Sequence, residues 1–103
     1  MRNSSQQSEE ELYQAILTLE TPEECRQFFD DLCTVQEIRA MTQRFEVASR
    51  LRHGEKYLDI AQKTGASTAT ISRVNRSLLY GAGGYDLTFR RMEAEKETDP
   101  KEE

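Results

Sequence analysis

Apolar residues recur every three or four positions along most of the chain, the spacing of helices that each bury one stripe. Leu12, Ile16 and Leu19 form the first stripe, Cys25, Phe28, Phe29 and Leu32 the second, and Ile38, Met41, Phe45, Ala48 and Leu51 a longer third. No segment alternates apolar and polar residues as a half-buried strand would, and no internal repeat is visible. Each stripe opens on a helix-start signal. Ser8-Glu9-Glu10-Glu11 and Thr34-Val35-Gln36-Glu37 both fit a capping box, in which a hydroxyl accepts from a free amide and a carboxylate reaches back. Thr21-Pro22-Glu23-Glu24 joins a threonine cap to proline at the first helical position, with acids facing the positive end of the dipole. The third helix is expected to close at Arg52-His53-Gly54, where glycine takes the left-handed conformation. His53, the only histidine, reads there as a capping or surface group.

Later in the chain, Tyr80-Gly81-Ala82-Gly83-Gly84-Tyr85 places three glycines in four residues, which breaks a helix and leaves a hinge. A phosphate-cradling loop would need a preceding strand and a following Lys-Ser/Thr, and neither is present. Asp86 is expected to cap a last short helix carrying Leu87, Phe89, Arg90 and Met92, followed by an acidic tail over residues 93–103. The expectation is an all-α fold of about six helices, with one domain over residues 1–97 and a disordered stretch over 98–103.

Residues 57–79 meet the demands of a helix-turn-helix. Two short helices that cross steeply need a small residue where they press together, and Ala61 supplies one. The turn needs a backbone that tolerates positive φ, and Gly65 stands four residues later. Ile60, Ile71 and Val74 fall where the two helices bury each other, and Ser67 or Thr68 is placed to cap the second. The second helix then exposes Thr68, Ala69, Ser72, Arg73 and Arg76, with Thr70 at the edge. These types suit a major groove: hydroxyls meet bases or phosphates, a methyl touches thymine, and arginine binds guanine or phosphate. Lys56 and Lys63 flank the first helix, within reach of a DNA backbone.

The net charge of −5 argues against nucleic acid until its distribution is read. Residues 1–33 carry two basic and eight acidic groups, residues 34–92 ten basic and five acidic, and residues 93–103 two and six. A basic middle between acidic ends fits a phosphate-facing surface. Cys25 and Cys33 stand eight apart inside predicted helix with no histidine pattern, so buried thiols are expected rather than a disulfide or metal site. No paired carboxylates, metal cluster or nucleophile–histidine set supports an enzyme, and no cofactor is expected. The polar start and the lack of a long apolar run predict a cytoplasmic protein with no membrane partner. A chain this short and polar has a thin core, which pairing with a copy of itself would complete.

Residues 34–79 resemble the Trp repressor family, and most closely its small Trp-repressor-like bacterial regulators. Thr34, Glu37, Ala40, Arg44, the helix end Leu51-Arg52-His53-Gly54-Glu55, Gly65-Ala66, Ala69-Thr70-Ile71-Ser72-Arg73 and Ser77-Leu78 carry the resemblance. It implies a six-helix subunit whose N-terminal helices interlock with a partner's, two reading heads flanking the interlocked core. It also implies an effector pocket built by Thr34, Arg44, Arg73, Val74 and Ser77. The family's repressor has glycine against the ligand's indole where this chain has Val74, so tryptophan is not expected as corepressor. The resulting expectation is a sequence-specific DNA-binding transcriptional regulator, a repressor acting as a homodimer on a palindromic operator. The alternative is a helix-turn-helix adaptor or protein-interaction module of a larger nucleic-acid-processing system.

Overall fold

The computed structural model describes residues 3–97, so the stretch expected to be disordered, 98–103, lies outside the described residues. The described residues form six helices and no strand: α1 (Ser4–Ile16), α2 (Pro22–Leu32), α3 (Val35–Arg52), α4 (Tyr57–Thr64), α5 (Thr68–Tyr80) and α6 (Gly84–Glu97). They divide into two compact units, one ending at Arg39 and one starting at Ala40. No helix among them is long and apolar enough to cross a membrane.

In the N-terminal unit, α1 begins four residues before the Ser8 signal. Asn3 is its cap: Gln6 N donates to Asn3 Oδ1 at 2.8 Å, and Asn3 N donates to Gln6 Oε1 at 3.1 Å. An asparagine and a glutamine thus form the reciprocal pair expected of a hydroxyl and a carboxylate, and Ser8 lies inside the helix. The helix also ends at Ile16, which leaves Leu19 beyond it. The other two starts stand as expected. Thr21 Oγ1 accepts from Glu24 N at 3.1 Å. Thr34 and Glu37 exchange bonds of 2.8 and 3.1 Å. No residue of α1 or α2 is buried: Phe28 and Phe29, edge to face, are only half-buried, and Leu17 and Val35 are largely exposed. Cys25 and Cys33 are free thiols, Cys25 exposed, contrary to its expected place in a buried stripe.

The C-terminal unit holds the core: Val47, Ala48, Ile60, Ala66, Ile71, Val74 and Phe89, with Leu51, Ala61, Leu78 and Tyr85 packed against it. Gly54, at φ 83°, closes α3 as expected. His53 Nδ1 lies 2.7 Å from Ser49 O; a carbonyl only accepts, so the ring donates from Nδ1 and caps the helix end. Residues 81–83 separate α5 from α6. The last helix starts at Gly84 rather than behind an Asp86 cap, and it is not short. Asp86 instead lies within it, accepting from Arg52 at 3.0 Å and Arg90 at 2.9 Å. Arg52 also donates to Glu93 at 3.2 Å and stands over the Phe89 ring. The acidic residues from Glu93 to Glu97 continue α6 instead of forming a loose tail, and Arg52 of α3 pairs with the first of them.

Candidate nucleic-acid interface

Local chemistry sets the geometry of α4 and α5. Gly65 adopts φ 73°, which L side chains rarely take, and its N–H bonds back to Ala61 O at 2.9 Å to end α4. Ser67 then caps α5: its Oγ accepts from Thr70 N at 3.1 Å and stands 3.1 Å from Thr70 Oγ1. The facing sides bury Ile60, Ile71 and Val74, the residues that sequence spacing places there. Ala66, in the turn itself, is also buried, and nothing in the polar residues around it signals that burial.

The opposite side of α5 is open. Ser67, Thr68, Ala69, Ser72, Arg73 and Arg76 are exposed and Thr70 is half-buried at the margin. Ala69, Ser72, Arg73 and Arg76 line one shallow groove. Lys56, at the N-terminal end of α4, is exposed. Lys63, on its last turn, is 3.4 Å from Glu55 Oε1, and Glu55 also accepts from Arg50 at 3.2 Å. Desolvation, the largest single influence on Glu55, pushes its carboxyl up, but the bonds from Arg50 and Lys63 together hold it below the ordinary range. Arg73, Arg76 and Lys56 have no carboxylate partner among the described residues. An uncompensated cation on a hydroxyl-lined helix face is equipped to take a phosphate or a base edge.

Beside this face, Arg44 and Arg73 meet Val74 and Ser77 in a cleft of about 240 Å³, closed by Ala40, Gln43, Thr70 and Tyr85. Four of the residues expected in an effector pocket thus share one cleft. Thr34 belongs to the N-terminal unit, where it caps α3. Sequence reasoning missed Gln43 and Tyr85: one is an unremarked polar residue on α3, and the other sits at a glycine-rich break whose helix begins earlier than expected.

Comparison with known proteins agrees with this architecture. The family model described as Trp repressor protein matches residues 7–93. The chain is 50% identical over 93 residues to the uncharacterized protein YerC of Bacillus subtilis (strain 168), covering 89% of each. Among solved structures, a TrpR-like protein from Eubacterium eligens ATCC 27750 superposes with a TM-score of 0.82 at 60% identity, over 84% of this chain and 90% of that one. A Staphylococcus aureus structure follows at 0.81 and 52% identity, with 89% of each chain covered.

Proposed function

The chain belongs to the Trp repressor family, and we propose on that premise that it is a sequence-specific DNA-binding transcriptional regulator. A fold alone does not assign an activity, so the reading rests on the site. The observation that carries it is the outer face of α5: Thr68, Ala69, Ser72, Arg73 and Arg76, exposed together, with both arginines free of carboxylates among the described residues. In the proposed mechanism α5 enters the major groove, where Thr68 and Ala69 on its first turn meet base edges. Arg73 and Arg76, with Lys56 and Ser67, neutralise and hold phosphates, and Lys63 joins them when it exchanges Glu55 for DNA. The regulator acts by occupying its operator, so no bond is made or broken, and its setting is the cytoplasm.

Two copies make the functional unit in this reading. The N-terminal unit has amphipathic helices and no buried residue among those described, which a self-sufficient monomer would not leave. Interlocking with a second copy would cover those stripes and set two reading heads about one helical turn, ~34 Å, apart on a palindromic site. Residues 1–97 act as one functional domain in such a dimer. In this reading tryptophan is not the corepressor, because Val74, 3% exposed, stands where the resemblance implies glycine against the ligand's indole, and two added methyl groups there leave a flat ring less room. The decisive experiment is selection of bound duplexes from a random pool, read by sequencing. An enriched palindrome is the expected result, and binding of all duplexes alike at physiological salt overturns the reading.

A further inference from the structure

Apolar packing of Ile60, Ile71 and Val74 resists separation of the helices but is itself non-directional. A hydrogen bond to the turn would fix register, and α3 makes one. Gln43, half-buried on α3, places Nε2 3.2 Å from the backbone carbonyl of Thr64, twenty-one residues away. A carbonyl only accepts, so the amide nitrogen must face it. That carbonyl ends α4 and is among the four that a helix leaves without an internal partner. The same threonine organises the turn: Thr64 Oγ1 donates to Ile60 O at 2.7 Å and accepts from Ala66 N at 3.1 Å. One residue after the buried Ala66 comes Ser67, the cap of α5. A chain of short hydrogen bonds and backbone therefore runs from Gln43 through Thr64 and Ala66 to the first turn of α5.

We infer that Gln43 is a positioning residue for DNA reading: its bond to Thr64 sets where the turn, and with it the leading end of α5, stands against α3. The inference rests on the DNA-binding function proposed above. A displacement of about 1 Å at that end moves Thr68 and Ala69 out of hydrogen-bond and van der Waals range of a base edge, while long flexible arginines still reach phosphates. Loss of the tether thus lowers selectivity before it lowers affinity for DNA in general.

The test compares the full-length parent with Gln43→Met, which keeps the length but has no donor, and Gln43→Glu, which sets an acceptor against an acceptor. Amide exchange is followed at Gly65 and Ala66 in the free protein, and binding is measured to the selected operator and to a random duplex across a salt series. The expected result is faster exchange at Gly65 and Ala66 with unchanged exchange at Val47. Operator affinity falls about tenfold or more, larger for the glutamate, while random-duplex affinity and the salt slope of Gln43→Met stay as in the parent. Equal losses on both duplexes would show a merely structural role and overturn the inference. Unchanged exchange beside a selective parent overturns the tether alone. A parent that binds every duplex alike overturns the DNA reading and with it any positioning role.

Discussion

Arg76 and Thr68 stand on the same exposed face, yet their side chains are suited to different work. Arginine on a phosphate contributes through charge and counterion release, so Arg76→Ala should weaken binding to operator and random duplex alike. The slope of log K against log salt should flatten by about 1.8, about 0.9 for the one phosphate that each copy of the dimer no longer neutralises. Thr68→Ala should leave that slope alone and change which sequence is preferred, by roughly 1–3 kcal/mol per affected base pair. Binding isotherms on both duplexes over a salt range separate the two. Val74 bears on a third outcome: titration calorimetry with millimolar L-tryptophan should show no saturable heat, and operator affinity should not change with it. Val74→Gly should weaken operator binding by removing packing from the core. These residues were legible in the sequence because a local cap and a 3.6-residue period fix which side of a short helix faces out. Gln43 was not, since its partner lies twenty-one positions on and no local rule connects them.

At the level of elements, two glycines are required for different reasons. Gly65 holds φ 73° with open space where a Cβ would stand, so Gly65→Ala carries only the conformational penalty, about 1–2 kcal/mol. Gly81 has an ordinary φ, but a Cβ there would run into the backbone carbonyl of Ser77, which cannot give way without opening the end of α5. Gly81→Ala should therefore lower the melting temperature although its φ is negative; a variant as stable as the parent would contradict this. The sequence shows a break at that point but not its cause, because close approach of backbone to backbone leaves no composition signal. The helix starts tell a similar story. Thr21 and Thr34 were readable because a single strong cap precedes each stripe. At the N-terminus two competing signals lie five residues apart, and the longer helix wins by adding backbone hydrogen bonds. The ion pairs of α6 with Arg52, a distant residue of α3, were beyond any local reading.

The whole molecule should respond to acid through its cross-helix ion pairs. The Arg52 guanidinium beside Asp86 holds that carboxyl below the usual carboxylate range, and Glu55 is lowered as well. A carboxylate depressed in the folded state stabilises it fully above its unfolded pKa, near 4, and loses that contribution as pH falls through the folded value. Melting temperature should thus be insensitive to these two groups from pH 6 to 8 and decline below about pH 4, with a shallower decline in Asp86→Asn. Concentration should matter at every pH. If the uncovered stripes of α1 and α2 are completed by a second copy, dilution lowers the melting temperature and sedimentation at low micromolar concentration shows a dimer. A well-folded monomer there would refute the pairing.

The bare N-terminal helices also have a consequence in time. Residues up to Arg39 are synthesised before any of the core residues Val47 to Phe89 exist. At about 5–20 residues per second, synthesis of the fifty residues from Ala40 to Phe89 takes roughly 3–10 s. For those seconds Tyr13, Leu17, Phe28, Phe29 and Leu32 have no completed core in their own chain to pack against, and neighbouring nascent chains on one message carry the same surfaces. The eight acidic groups against two basic ones in residues 1–33 give such segments the same sign of charge, which opposes their clustering.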